Sequence, residues 1–367
     1  MKFICDKHTL TNAIAGVSKA VAAHSNIPIL ETILFHAEQG RIILTGYDLE
    51  MAITTSVPAI VSSPGEIALS AKLIGDMVRR MTTDDVEIEA HDNLAVTVRG
   101  GITEFTLTSM NPMDYPEMPN PGADEAVELE ASVLKSMIDT TLFAVSIDDK
   151  KPAHTGELFV LEHDKLTMVA LDGYRLAIVE RPVTSNREIR IIIPAKTMGE
   201  VSRLMGDLEE KVLICANRRF VVFRGGDYVI ISRLIDGDFL DYTRVVPVSC
   251  TTTVTVPTRP FINCVERASL IITERLKNPL RVSFGENRVL VRCQTNLGRV
   301  MDEFDAKIEG DSVEIGFNNR YLLDALRNAR TDKVVMEISG PLSPVKMLPA
   351  EGNDFTYLVL PVRFKND

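Results

Sequence analysis

Apolar and polar positions follow two rhythms along this chain, and both recur three times. Three segments join a short polar or alternating stretch to a helix-period apolar run: Asp6 to Val21, Glu128 to Ser146 and Val254 to Ile272. Leu10, Leu134 and Phe261 hold matching places in them, 124 and 127 residues apart. A second set of helices is predicted at Ser70 to Met81, Pro194 to Met205 and Phe317 to Asn328, with Ala71, Ala195 and Asn318 spaced by 124 and 123. Alternating strand patterns follow each of these, as in VEIEAHDNLAVTVRGG after Met81. Between the helices, a third set reads strand, turn, strand around Asp48, Asp172 and Thr295, again 124 and 123 apart.

Such a period far exceeds the roughly 20–50 residues of solenoid units, so each copy can own a core. The expectation is an α+β chain built from one domain used three times, at residues 1–120, 127–247 and 250–367. The first boundary is marked by four prolines among acidic residues in Asn111 to Glu125, unsuited to a helix or strand interior. Register places the second near Val245 to Thr253.

Composition narrows the class without naming it. At 45% hydrophobic and 25% charged over 367 residues, collagenous and broadly disordered classes are excluded. No apolar run reaches the ~20 residues of a membrane span, and the start carries no signal-peptide core, so a cytoplasmic protein without a membrane partner is expected. Cys5, Cys215, Cys250, Cys264 and Cys293 lie at least 14 residues apart, with no CxxC pair, and read as reduced, partly buried thiols.

Charge changes the picture. The formal net charge of −11 argues against a polyanion partner, but the windows of the six predicted helices (7–21, 70–81, 131–146, 194–205, 258–277 and 317–330) hold fifteen Lys and Arg against six Asp and Glu. They carry +9, leaving −20 for everything else. Glu shares the helix propensity of Lys and Arg yet is scarce in these windows, so the split points to a polyanion-facing surface. Candidate phosphate contacts are Lys19, Lys72, Arg79, Arg80, Lys196, Arg203, Arg267, Lys277, Arg320 and Arg327, with Lys150 and Lys151 added from the loop at Ser146 to Thr155. With no Trp and 6% aromatic residues, contact to a duplex backbone fits better than stacking on single-stranded bases.

Enzyme readings are weaker. Asp48 with Glu50, Asp84 with Asp85, or Asp236 with Asp238 could hold magnesium in a metal-dependent nuclease or nucleotidyltransferase, but turn and surface roles explain these pairs better. No nucleotide-binding or hydrolase motif is present, and the six histidines show no ligand spacing. No catalytic residue, metal ligand or cofactor is assigned. A monomeric peptide-binding scaffold that ignores DNA remains the other alternative.

Six ordered strings spread over the whole chain carry a resemblance: NIPIL from Asn26, TGYDLEM from Thr45, LDGYRLA from Leu171, DGDFLDYTRVVP from Asp236, EIGFNNRYLLDAL from Glu314 and YLVLPVR from Tyr357. Together with the repeats and the charge split, they resemble the bacterial DNA polymerase III beta subunit, the replicative sliding clamp. The resemblance implies a ring-shaped, head-to-tail homodimer of three-domain chains, with helices lining a central channel and antiparallel sheets outside. Helices about 10 Å wide set side by side would enclose roughly 9 Å as six and roughly 28 Å as twelve, against about 20 Å for a duplex. Two chains are therefore needed. The implied function is a non-catalytic processivity factor of DNA replication, sliding on duplex DNA without regard to sequence.

The resemblance also implies a pocket for short peptide motifs of the replicative polymerase, the clamp loader and repair proteins. Its residues by motif are Leu171, Gly173, Tyr174, Arg175, Leu176, Leu240, Arg244, Val245, Asn318, Tyr321, Leu342, Pro344, Val359, Leu360, Pro361, Val362 and Arg363. From the residues alone, VLPV reads better as a buried final strand and Tyr174 as a core aromatic. Family members often carry His at Tyr174 and Pro at Leu240, and end near Arg363, whereas here Phe364 to Asp367 follow. For the ring joint the implied residues are Glu104, Phe105 and Leu107 on the strand at Ile102 to Met110, against Leu270, Ile271 and Arg299 of the other copy, with Glu104 and Arg299 attracting across it.

Overall fold

A computed structural model describes residues 1–119, 126–185, 187–272 and 278–364. The first repeat runs β1 (Lys2–Asp6), α1 (Lys7–Val17), β2 (Thr32–Glu38), β3 (Arg41–Tyr47), β4 (Met51–Pro58), β5 (Ile60–Ser63), β6 (Gly65–Ser70), α2 (Ala71–Arg80), β7 (Asp85–Ala90), β8 (Ala95–Gly100) and β9 (Thr103–Thr108). The second follows the same order with β10 (Val127–Glu130), α3 (Ala131–Thr141), β11 (Gly156–Glu162), β12 (Lys165–Leu171), β13 (Arg175–Pro182), β14 (Ile189–Pro194), α4 (Ala195–Met205), β15 (Lys211–Ala216), β16 (Phe220–Gly225) and β17 (Tyr228–Arg233). The third comprises β18 (Thr252–Pro257), α5 (Thr258–Ser269), β19 (Leu280–Gly285), β20 (Arg288–Thr295), β21 (Gly298–Asp305), β22 (Lys307–Gly310), β23 (Val313–Phe317), α6 (Asn319–Ala329), β24 (Lys333–Ile338), β25 (Val345–Pro349) and β26 (Thr356–Val359).

Local chemistry explains where these elements start. Asp6, Ser70 and Asn318 cap α1, α2 and α6 by accepting backbone N–H groups with their side chains, which satisfies donors that a helix start leaves open. The matched residues Leu10, Leu134 and Phe261 are all buried. Asp48 Oδ1 accepts the N–H groups of Glu50 and Met51, and Asp172 Oδ1 those of Tyr174 and Arg175. Thr295 Oγ1 does the same for Leu297, so one side-chain turn device is used three times. This accounts for Asp48 without a metal, and among the described residues no cluster of His, Cys, Asp and Glu could hold one.

One helix is shorter than the pattern predicts. α5 stops at Ser269, where the Leu270 N–H turns back to Arg267 O, rather than continuing through 277. β-branched Ile271 and Ile272 disfavour further helix. Lys277, expected on this helix, lies outside the described residues.

Sheet pairing does not respect the repeat boundaries. Packing forms two units, residues 1–135 with 199–234, and 136–198 with the chain from 235 onward. In the first, an eight-stranded sheet has the order β10-β15-β16-β17-β4-β3-β2-β6, joined where Tyr228 to Ser232 of β17 face Thr55 to Met51 of β4. A second sheet there is β5-β1-β7-β8-β9. The other unit has a nine-stranded sheet, β14-β11-β12-β13-β26-β25-β24-β18-β22, joined where Arg175 to Ile178 face Val359 to Thr356. Its second sheet is β21-β20-β19-β23. Each repeat thus splits into two half-sheets, and the middle repeat gives one to each unit instead of owning a separate core.

Both seams are tightly packed. At the first, a Cβ on Gly16 of α1 would come within 2.8 Å of the Tyr228 hydroxyl, so a larger residue there would have to displace that ring. At the second, fully buried Tyr357 stacks on Phe355 and meets Phe143 edge-on, with ring centroids 4.2 and 5.1 Å away. Its hydroxyl donates at 3.0 Å toward Thr140 O and Asn328 O, giving the buried phenol its partners.

Candidate functional site

Three groups of predicted residues are placed by this scaffold. In the second unit, the β12–β13 turn brings Gly173, in the left-handed region at φ 90°, and Tyr174, 60% exposed, to the surface. Tyr174 stacks on Tyr321 of α6 with centroids 5.6 Å apart. Asn318, capping α6, holds the N–H groups of Arg320 and Tyr321 and so fixes the start of that helix. The chain after β26 passes alongside: Leu360 N–H donates to Tyr174 O at 2.9 Å and Val362 N–H to Gly316 O at 2.8 Å.

Exposed Leu240, Arg244, Val245, Leu342, Val362 and Arg363 and half-buried Pro344, Leu360 and Pro361 supply the remaining surface candidates of this unit. Beneath them, Phe239, Tyr242 and Val246 pack onto a core of Leu158, Leu171, Leu176, Ile178 and Leu358. An apolar, aromatic-walled surface of this kind suits a short peptide that inserts one or two apolar anchors.

Four predicted pocket residues sit deeper than a surface contact. Leu171, Leu176 and Val359 are buried on interior strands of the nine-stranded sheet, Leu171 and Leu176 within the packed core. Arg175 is 8% exposed: its Nε donates to Asp172 Oδ2 at 3.0 Å, it also pairs with Asp324, and its guanidinium lies 4.9 Å from the Tyr321 ring and 5.5 Å from Phe143. A cation so enclosed holds the two aromatic walls in place rather than greeting a ligand. A separate cleft of about 620 Å³, lined by residues including Thr255, Asn287, Arg288 and Lys333, contains none of the predicted residues.

All eleven described cations of the predicted phosphate surface are exposed. They differ in what offsets their charge. Arg79, Arg203, Arg267, Arg320 and Arg327 have a carboxylate at 3.7, 2.5, 2.5, 4.0 and 2.8 Å, from Asp76, Glu200, Asp302, Asp324 and Glu266. The Arg267 bond holds the Asp302 carboxyl below its usual range. Among the described residues, Lys19, Lys72, Arg80, Lys150 and Lys151 have no carboxylate within 4.0 Å. Those five carry the less compensated positive charge.

The residues expected at a ring joint lie on two open strand edges and just after α5. β9 ends the five-stranded sheet with Phe105 and Leu107 half-buried, and β21 ends the four-stranded one with Arg299 exposed. Leu270, 82% exposed, and half-buried Ile271 follow α5. Met301 on β21, 73% exposed, and Leu297 before it escaped the sequence reading. The signal was present, since Met301 is apolar at the strand phase otherwise filled by Arg299 and Glu303. Glu104 is not idle: Arg99 Nε donates to it at 2.7 Å, and the same arginine reaches Glu87 and Glu89.

Comparison with known proteins places this geometry. Family models of the DNA polymerase III beta subunit match at residues 1–119 for the N-terminal domain, 128–241 for the central domain and 243–363 for the C-terminal domain. A beta sliding clamp of Staphylococcus aureus is 30% identical, covering 99% of both chains. The crystal structure of the DNA polymerase sliding clamp from Bacillus subtilis superposes with a TM-score of 0.95 at 28% identity, covering 100% of both. A Bartonella birtlesii sliding clamp bound to griselimycin also gives 0.95 at 28%, covering 99% of this chain and 100% of that one. The chain belongs to the bacterial DNA polymerase III beta subunit family, the sliding clamps, and is a non-catalytic processivity factor of DNA replication.

Proposed function

We propose that two copies of this chain close head to tail into a ring around duplex DNA, with β9 of one copy joined to β21 of the other. The observation that carries this is the bookkeeping of half-sheets. Twice within the chain, the last strand of one repeat pairs with the strand following the β-turn of the repeat before: β17 with β4, and β26 with β13. Among the described residues, the one last strand left without such a mate is β9, and the one post-turn strand left is β21. An open edge is a template for another strand. A second copy satisfies both edges at once, in the order that the internal seams already follow, so a closed dimer leaves neither of these two edges open.

In this reading the three domains span 1–120, 127–247 and 250–367, and their helices face the DNA. Lys19, Lys72, Arg80, Lys150 and Lys151 supply most of the attraction to phosphates, which is sequence-independent and compatible with sliding. The acidic remainder of the chain keeps DNA from binding elsewhere. The surface around Tyr174, Tyr321, Leu342 and Val362 receives peptide segments of the replicative polymerase, clamp loader and repair proteins in the cytoplasm. Griselimycin, the ligand of the Bartonella clamp, serves as a probe for it. A primer-extension assay with the loader and polymerase of the same organism tests the reading: adding the chain should lengthen the products of single binding events, and unchanged product length would refute it.

A further inference from the structure

The chain continues past the strand that ends at Val359, and what holds this continuation is particular. Pro361 offers no N–H, so the segment makes no ladder of its own. Besides the backbone bonds from Leu360 and Val362, it is anchored by the ring of Phe364. Arg281 and Gly316 face each other across the β19–β23 pair, so both present the same side of the sheet. The Arg281 guanidinium lies 4.2 Å from the Phe364 ring centroid, within cation–π range. A Cβ on Gly316 would stand 3.0 Å from Phe364 Cε1 and 2.2 Å from Val362 O, so the close approach of both needs a bare Cα there. Glu314, two residues earlier on β23, pairs with Arg281 at 3.4 Å and steadies it.

We propose that Phe364 is a positioning residue for peptide binding. Its ring, seated on Gly316 beneath Arg281, latches residues 360–363 in the conformation that presents Val362 and Arg363 beside Tyr174. This rests on the reading of that surface as the peptide site. Without the latch, the two backbone bonds from Leu360 and Val362 restrain the segment less firmly, and a ligand must order it on binding. That cost weakens affinity without removing a contact.

The test uses the full-length chain and griselimycin as ligand, measured by calorimetry and by dissociation rate. Phe364→Ala and a chain ending at Arg363 should each bind roughly threefold to tenfold more weakly, through faster dissociation, with Val362 amide exchange accelerated. Phe364→Tyr should restore binding, and Arg281→Met should fall between. Val362→Glu is the control for the site and should abolish binding. If Val362→Glu abolishes binding while Phe364→Ala stays within about twofold of the parent, the latch is wrong and the site stands. If Val362→Glu binds normally, the site is elsewhere and the latch fails with it. An affinity loss that merely follows a fall in melting temperature, with Val362 exchange unchanged, would make Phe364 a general stability residue and overturn the proposal.

Discussion

The closed seams and the open edges of this molecule are made from equivalent strands, yet they look different. At the β13–β26 seam Tyr357 and Phe355 are buried, and at the β17–β4 seam half-buried Tyr228 lies closely against Gly16. On the open edges, Met301 of β21 lies largely in solvent and Phe105 of β9 is half covered, and Leu270 after α5 is exposed as well. The contrast supports the proposal that the open edges join a second copy, because exposed apolar side chains on a strand edge are a cost to a lone chain.

The largest effect should come from spoiling an open edge. Met301→Glu together with Leu270→Glu should leave the fold intact, since both side chains are exposed in the single chain. The dimer dissociation constant should rise at least a hundredfold, or about 3 kcal/mol, by sedimentation equilibrium. An unchanged dimer would remove these residues from the joint.

A buried acid in the seamed sheet sharpens the comparison next. Glu157 on β11 is fully buried, with burial pushing its pKa up to about 8, and one carboxyl oxygen has no hydrogen-bond partner. Thr141 Oγ1 lies 2.8 Å from Met137 O and 2.5 Å from Glu157 Oε1. If the hydroxyl proton serves Met137, a protonated Glu157 supplies the second bond. The ordinary carboxyl value is 4.5, so the folded chain binds an extra proton between that pH and about 8. The stability it confers is full below 4.5 and is lost as pH rises to about 8. Glu157→Gln, which donates at any pH, should therefore gain about 2–4 kcal/mol at pH 9 and under about 1 at pH 5 in urea unfolding. The dimer constant should not change. An equal effect at both pH values would show that Glu157 does not titrate in this range.

Smaller effects should sort the cations. Lys72→Ala with Arg80→Ala should lower the salt dependence of DNA binding by roughly one to two units of log–log slope, whereas Arg267→Ala with Arg327→Ala should change it by less than about one. Equal losses would mean that the ion pairs open on DNA. Smallest of all, Arg299→Glu should shift the dimer constant by less than about threefold, because Glu104 is already engaged by Arg99.

Much of this was legible in the sequence. The period near 124 residues, the six helices and the three turn residues Asp48, Asp172 and Thr295 follow from short-range patterns, and short-range chemistry builds them. The seams were not legible, since alternation shows that a segment is a strand but not which strand it meets. Arg175 illustrates the same limit: its burial depends on Asp324, 149 residues away, and on the Tyr321 ring. Salt-bridge partners of the helix cations were equally hidden, so a count of charges overstated how many act freely.

The central claim is closure through β9 and β21, and covalent trapping tests it most directly. After Cys250, the exposed native thiol, is replaced by Ser, cysteines are introduced as Thr106→Cys and Met301→Cys, and the protein is loaded onto circular duplex and crosslinked across the edges. The account predicts a dimer that stays with the circle in denaturant and is released when the DNA is linearised. Loss of the crosslinked protein from circular and linear DNA alike would contradict it.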